Sequence, residues 1–375
     1  MARGLFVEPF YGGSHRAFLD GLVRHGGHEL ELLTLPEGEW RRRMRRGAQE
    51  LAQRVLALQG PFEFLVVSDM LDLPAFLALT RPRFERTPIL AYFHENQMTY
   101  PRLRGTKFNS WFGQINYMTA LAADVVAFNS AFHRDDFLGA LRVLLNQPNN
   151  WLTEGGVAEV GRKSFVLPVG VDLGWIEALE APRAESLPRV ILWNHRWEFD
   201  KAPDLFVRAL RTLRARDVPF RLVVAGEPGD NPSAAITGLP AEFGECILHF
   251  GYAASQEEYG RLLWRSDIVV STTRHEFFGV GMVEAMAAGC VPCAPRRYNY
   301  PALIPGELHA AALWDDEAGL VETLARLLTG PLPERAALRM AARRYGWPAV
   351  APQWQRVLTS LSHRETATKA GVTQD

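Results

Sequence analysis

The chain has 375 residues, 41 Lys+Arg against 42 Asp+Glu, and 47% hydrophobic residues, which excludes a disordered or fibrous protein and leaves length for two domains with cores of their own. Three cysteines cannot form a secreted disulfide framework, and the opening Met1-Ala2-Arg3-Gly4-Leu5 lacks a signal peptide's apolar stretch, so a cytoplasmic address is expected. No apolar run reaches the roughly 18–20 residues that span a bilayer, so no membrane partner is expected, and a formal net charge of −1 taken alone speaks weakly against nucleic acid.

Short apolar or β-branched runs alternate with helical patterns along the chain, the signature of parallel βαβ units. In the first half, strands are expected at residues 5–8, 29–33, 62–68, 89–93, 124–129 and 164–167, with helices near 15–24, 40–58, 107–122 and 131–145. Residues 146–160 show neither periodicity and read as a loop. The rhythm pauses around 171–188 and restarts with a strand at 189–193. Further strands are expected at 220–225, 246–250, 267–272 and 290–294, and helices beginning near Ala202, Ser255 and Gly279. A last apolar stripe over 347–361 predicts a closing helix. The expected fold is α/β, with two tandem Rossmann-like, doubly wound domains (1–175 and 176–363, the second carrying the closing helix) and a disordered tail at 364–375. Two such domains would face a central cleft at the carboxyl ends of their strands, where ligands bind in these sheets.

The strongest motif runs from His275 to Gly289 (HEFFGVGMVEAMAAG). Glu276 falls in a strand-to-helix turn and Gly279 opens the helix. Main-chain amides over Phe277, Phe278, Gly279 and Val280 would sit at the positive end of a helix dipole, suited to an anionic or hydroxyl-rich ligand. Glu284, more than a turn further in, could accept from vicinal hydroxyls, and two carboxylates so spaced beside glycines suit a nucleotide sugar. Gly12 and Gly13 follow the first strand and permit close backbone approach. Their surroundings are not the dinucleotide pattern G-x-G-x-x-G, which argues against NAD. Cys290 and Cys293 follow a helix end and enter a buried strand, so they read as structural thiols rather than a redox pair or a zinc site. Asn129-Ser130, at another strand end, reads as a helix N-cap or a cleft residue, with the cap favoured. Arg41, Arg42, Arg43, Arg45 and Arg46 crowd the polar faces of one helix. Over residues 40–110 there are 12 Lys/Arg and six Asp/Glu, a local net of +6 against −7 for the remainder.

The Glu-x7-Glu arrangement resembles that of the retaining glycosyltransferases of the GT-B type. A narrower resemblance rests on VEPFYGGSH (7–15), LTLP (33–36), YFHENQMTYP (92–101), ADVVAFNS (123–130), HRWEFDKAP (195–203) and HEFFGV (275–280). These strings, which span most of the chain, are similar to those of the tRNA-queuosine α-mannosyltransferases. That family transfers mannose from GDP-mannose to queuosine at the wobble position of tRNA-Asp. The resemblance implies Arg196 and Lys201 on the donor diphosphate, an Arg fork and a Lys point charge. It implies Glu276 on mannose hydroxyls, Glu284 on ribose hydroxyls, His94 as a sugar contact, and Gly251 with Tyr252 near the nucleobase. Acceptor-side candidates are Ser14, His15, Glu95 and Asn96, with Arg41, Arg42, Arg45 and Arg46 tracking tRNA phosphates. No metal or other cofactor is expected, since the two cations would serve the leaving group. His195 departs from the wider pattern, which commonly has glycine there. Two rival readings are a glycosyltransferase acting on a lipid or small metabolite, with the arginine helix on anionic lipid, and a catalytically silent nucleotide-sugar or RNA-binding module.

Overall fold

The computed structural model describes residues 1–101, 110–181, 187–229 and 232–370, with side chains described to His363. The chain divides into two compact units. The first takes the chain to Gly170 and regains it from Trp347 onward. The second runs from Val171 to Gly346.

The first unit holds six strands: β1 Arg3–Tyr11, β2 Glu29–Pro36, β3 Phe64–Ser68, β4 Ile89–Phe93, β5 Val125–Phe128 and β6 Ser164–Val166. They pair in parallel in the order β2-β1-β3-β4-β5-β6. The central strands FLVVS and ILAYF are buried at every position. Helices on both faces of a parallel sheet demand such unbroken apolar runs. The helix Trp40–Val55 contributes Met44, Ala48, Leu51, Ala52 and Val55 to the core, the stripe legible in its sequence. Chain reversal between β1 and β3 makes that seam the topological switch point of the sheet.

The second unit has β7 Val190–Trp193, β8 Arg221–Ala225, β9 Ile247–Gly251, β10 Ile268–Val270, β11 Val291–Pro295 and β12 Leu313–Trp314. Their order is β12-β11-β10-β7-β8-β9, again all parallel. Here the switch point lies between β7 and β10, so the loops leaving those two strands are the ones that a ligand should meet. The expected class, α/β with two Rossmann-like sheets, is the class observed.

Three expectations need correction. The closing helix Trp347–Ala370 belongs to the first unit, not the second. Its Trp347 and Trp354 are fully buried. Trp347 stacks on Phe18 at 5.9 Å and Trp354 meets Tyr92 edge-on at 4.8 Å. Gly21 and Gly170 admit the indole of Trp347, because a Cβ on either would fall inside it. The backbone of 364–370 is helical rather than a loose tail, and 371–375 lie outside the described residues. Within the expected loop 146–160, a helix Glu154–Arg162 begins, with Thr153 Oγ1 accepting from Gly156 N at 3.1 Å. Its glycines had blurred the period. Among the described residues, no helix is long and apolar enough to cross a membrane.

Candidate active site

In the second unit the loop after β7 is stitched to the loop after β10. Arg274 N and Thr273 Oγ1 donate to the Asp200 carbonyl at 2.6 and 3.0 Å, and Thr272 Oγ1 donates to the Lys201 carbonyl at 2.9 Å. This bracing brings two sequence-predicted residues together: Lys201 Nζ lies 3.6 Å from Glu276 Oε2. It also reveals a third that sequence reasoning missed, Asp200, whose Oδ2 is 3.1 Å from the same ammonium. All three side chains are largely withdrawn from water. Burial works against the Lys201 charge, but Glu276 and then Asp200 outweigh it and raise its pKa. Burial likewise opposes the Asp200 carboxylate, and Lys201 overcomes that to hold its pKa below the ordinary value. The result is a fixed cation braced by two carboxylates.

Arg196 is exposed and 3.2 Å from Glu198 Oε1. Burial drives the His195 imidazole down to about 3, with Lys201 adding to the effect. The residue that stands where the wider pattern has glycine is therefore neutral and adds no third cation beside Arg196 and Lys201.

Gly279 caps the helix Val280–Ala287 with φ of +104°, a left-handed conformation costly for other residues. A side chain there would also press on Leu303. Met282, Val283, Ala285, Met286 and Ala287 are buried, which leaves Val280, Gly281 and Glu284 as the helix's only open face. First-turn amides on that face have no partner inside the helix. Tyr259 O–H donates to Glu284 Oε2 at 3.1 Å, and Asn194 Nδ2 donates to Tyr259 Oη and to the Gly281 carbonyl, both at 2.9 Å. Burial raises the Glu284 carboxyl to about 7, partly offset by the Tyr259 hydrogen bond. Phe277 and Phe278 are buried, so only their main chain can serve a ligand. The Phe278 carbonyl already accepts from Asn299 Nδ2 at 2.8 Å. Gly251 ends β9, and Tyr252 beyond it is 72% exposed.

The first unit gathers a different set at its own switch point. Glu8, in β1 and fully buried, accepts from Phe10 N at 2.8 Å and Ser68 Oγ at 3.0 Å through Oε1, and its Oε2 is 3.2 Å from His15 Nδ1. Burial disfavours a charged His15, yet Glu8, then Asp69 and Glu95, lift it to about 9. His94 packs 4.2 Å from the His15 ring. Burial first, and then the charges of His15 and His133, push His94 well below the usual imidazole value. Its Nε2 is buried without a hydrogen-bond partner. The His94 amide donates to Asp69 Oδ1 at 2.8 Å. A cationic and a neutral imidazole thus stand side by side. Gly13 adopts φ of +49° over open space, and Ser14 is exposed. Glu95 accepts from Gln97 Nε2 at 2.9 Å. Asn96, expected on the acceptor side, is instead fully buried as a loop brace, its Oδ1 accepting from Met98 N, Thr99 N and Thr99 Oγ1. Ser130 caps its helix as expected, accepting from His133 N at 3.0 Å.

Among the described residues, Glu8, His15 and His94 are the one group whose ligand atoms, all within 4.8 Å of one another, could hold a metal ion. Glu8 is already committed to three donors, so the group reads as an ion pair with a neighbouring imidazole. Cys290 and Cys293 are both buried, and burial pushes the Cys293 thiol far up, out of reach of thiolate chemistry. Arg41, Arg42, Arg45 and Arg46 are exposed on the helix Trp40–Val55, whereas Arg43 pairs with Glu50 at 3.8 Å.

Two parallel sheets, with a cation, carboxylates and free helix amides at the switch point of the second, define a glycosyltransferase of the GT-B fold. Residues 177–345 match the family model "Glycosyl transferases group 1", and residues 3–171 match "tRNA-queuosine alpha-mannosyltransferase N-terminal". The chain is 34% identical over 311 residues to the tRNA-queuosine alpha-mannosyltransferase of Drosophila melanogaster, covering 81% of this chain and 82% of that one. It belongs to the tRNA-queuosine alpha-mannosyltransferase family. A more distant relative, at 27% identity over 73% of this chain and 66% of its own, is the GDP-mannose-dependent alpha-(1-6)-phosphatidylinositol dimannoside mannosyltransferase of Mycobacterium tuberculosis. Among solved structures, the UDP-forming alpha,alpha-trehalose-phosphate synthase of Burkholderia vietnamiensis superposes with a TM-score of 0.70 at 15% identity over the whole of both chains, a likeness of fold alone.

Proposed function

We propose that this chain carries mannose from GDP-mannose to queuosine at the wobble position of tRNA-Asp, with retention at the anomeric carbon. The observation that carries the reading is the Asp200, Lys201 and Glu276 cluster, with Glu284 in the helix that follows Glu276. Lys201 and Arg196 neutralise the departing diphosphate, aided by the amides at the start of the helix Val280–Ala287. Charge developing on a leaving group, met by groups already oriented, is usually the largest single source of acceleration. Glu276 accepts from sugar hydroxyls while staying in register through Lys201. Glu284, oriented by Tyr259 and Asn194, accepts from the ribose diol. Gly12 and Gly13 allow close approach near the diphosphate, Gly251 and Tyr252 border the nucleobase, and His94 is the sugar contact from the first unit. The acceptor hydroxyl attacks on the face the diphosphate leaves, and a departing diphosphate oxygen takes its proton. Neither a metal nor another cofactor has a role in this scheme.

GDP-mannose appears in the name of the mycobacterial relative, and queuosine-tRNA in those of the fly relative and of the family model matching residues 3–171. The first supports the donor although its own acceptor is a lipid, the higher identity to the fly relative and the match over residues 3–171 favour a queuosine-tRNA acceptor, and a tRNA acceptor sets the reaction in the cytoplasm. The test incubates purified protein with GDP-mannose and queuosine-containing tRNA-Asp and seeks a hexose mass increment on the modified nucleoside. Transfer only from another sugar nucleotide, or only to another acceptor, would replace the reading.

A further inference from the structure

Resting on the donor reading above, we propose that Glu227 selects the donor's base. Its carboxylate accepts from N1–H and the N2 amino group of a guanine whose face stacks on Tyr252.

The ends of β8 and β9 build the site. These strands pair with Ala225 opposite Gly251, and Gly226 N donates to the Gly251 carbonyl at 3.1 Å. Glu227 and Tyr252 therefore leave the sheet from adjacent positions. Trp197 N donates to the Glu227 carbonyl at 2.9 Å, which ties this turn to the loop after β7 that carries Arg196. Glu227 is exposed, and among the described residues its carboxylate has no hydrogen bond or ion pair. Acids close by in the chain are engaged: Glu198 lies 3.2 Å from Arg196, and Glu258 accepts from Ala254 N at 2.6 Å. Tyr252 is the most exposed of the described phenylalanine, tyrosine and tryptophan side chains, and among the described residues its ring meets no other ring or guanidinium. Gly251, with φ of +119°, leaves open space where a side chain would stand. Trp197 is buried beside Gly226, and its Nε1–H has no hydrogen-bond partner.

Guanine offers two neighbouring donors on one edge, N1–H and the N2 amino group, next to the O6 acceptor. A carboxylate only accepts, through two oxygens, so it takes both donors at once in charge-assisted bonds. Uracil's single N3–H lies between two carbonyl oxygens, and a carboxylate that reaches it also faces their lone pairs. Adenine presents an unprotonated N1 on that edge. A site built around such hydrogen bonds rejects a base that lacks the donors far more strongly than shape alone can. Tyr252 adds affinity without choosing, since every base has a π-face. The unpaired Trp197 N–H calls for an acceptor, which a base carbonyl can provide.

The test measures, by calorimetry, binding of GDP, UDP, ADP and inosine diphosphate, which is GDP without the N2 amino group. The wild type should bind GDP about tenfold or more tightly than inosine diphosphate, the usual effect of one hydrogen bond to a charged group, and bind UDP and ADP more weakly still. Glu227→Gln should weaken GDP about tenfold or more and inosine diphosphate less, bringing the two close to equal. Tyr252→Ala should weaken both alike, by about tenfold, and Tyr252→Phe should retain most of the affinity. Equal binding of GDP and inosine diphosphate by the wild type, or a preference for GDP untouched in Glu227→Gln, would overturn the role of Glu227 while leaving GDP-mannose as the donor. Unchanged affinities in Tyr252→Ala would overturn the stacking. A wild type that prefers UDP or ADP would overturn the assignment together with the donor reading on which it rests.

Discussion

Lys201 sits between Asp200 and Glu276, 3.1 and 3.6 Å away, so Lys201→Met does two separable things. It removes the cation assigned to the leaving group, and it abandons two carboxylates in a nearly dry setting. At these separations each ion pair is worth about 5 kcal/mol at an effective dielectric of 20, and breaking a buried pair costs roughly 3–5 kcal/mol once relaxation is included. For a unit of this size that is a fall in Tm of about 6–20 °C. The deficit should shrink on acidification. Without Lys201, burial raises the Asp200 pKa, so its proton is taken up more readily in the folded state and the penalty grows as pH rises. The double variant Asp200→Asn/Lys201→Met removes the more buried of the two stranded charges and should recover part of the lost stability. Turnover should remain down by about a hundredfold to a thousandfold in both, the usual effect of losing one group that stabilises transition-state charge. Thermal scans at pH 5 and 8 with GDP-mannose turnover provide the assay. A stable double variant with near-normal turnover would refute the role of Lys201 in the chemistry, and a single variant as stable as the wild type would refute the buried-cluster energetics.

Other consequences are equally direct. Burial raises Glu284 to about 7, so if the ribose diol is held by the carboxylate, donor binding must expel a proton at acid pH. The donor KM should then rise up to tenfold per unit below pH 7 and level off above it; Glu284→Gln should bind weakly with a flat profile, and a flat wild-type profile would count against that role. Glu8→Gln should lower the His15 titration midpoint, read by NMR of labelled histidine, by more than one unit from about 9. Because the folded value lies above the ordinary 6.5, the stability His15 contributes is complete below pH 6.5 and lost as pH climbs through 9, and the variant should lose that dependence. Gly21→Ala drives a methyl group into Trp347 and should cost about 2 kcal/mol or more, read by denaturant unfolding; an unchanged midpoint would show that the closing helix yields freely.

Local pattern carried most of the fold. β4 occupies residues 89–93 and the capped helix after β5 spans Ala131–Leu145, as apolar runs and Ser130 had indicated. What eluded the sequence depended on distance. No periodicity tells that the helix from Trp347 returns to Gly21 and Gly170 rather than closing the unit it follows. The short helix Leu73–Thr80, the two-residue strand β12 and the helices Glu317–Thr329 and Arg335–Arg343 went unread, lying beyond the motifs. In the candidate site, Lys201 and Glu276 stood out because each sits in a motif at a strand end, and folding joins them. Asp200, beside Lys201 in that motif, carries no signal of its own that marks it as part of the cluster. Tyr259, Asn194 and Glu8 likewise lie in no motif spacing that points to a role. Folding supplies what the local sequence lacks: Glu276 on the ammonium that Asp200 also meets, Glu284 for Tyr259, Gly281 for Asn194, and His15 for Glu8.

The most direct measurement of the central claim is mass spectrometry of nucleosides from queuosine-containing tRNA-Asp after incubation with this protein and GDP-mannose. The account predicts a one-hexose increment on queuosine, with α linkage, that is absent when GDP-mannose is replaced by UDP-glucose and strongly reduced in the Asp200→Asn/Lys201→Met variant. Queuosine left unmodified by a folded protein that hydrolyses GDP-mannose would contradict it.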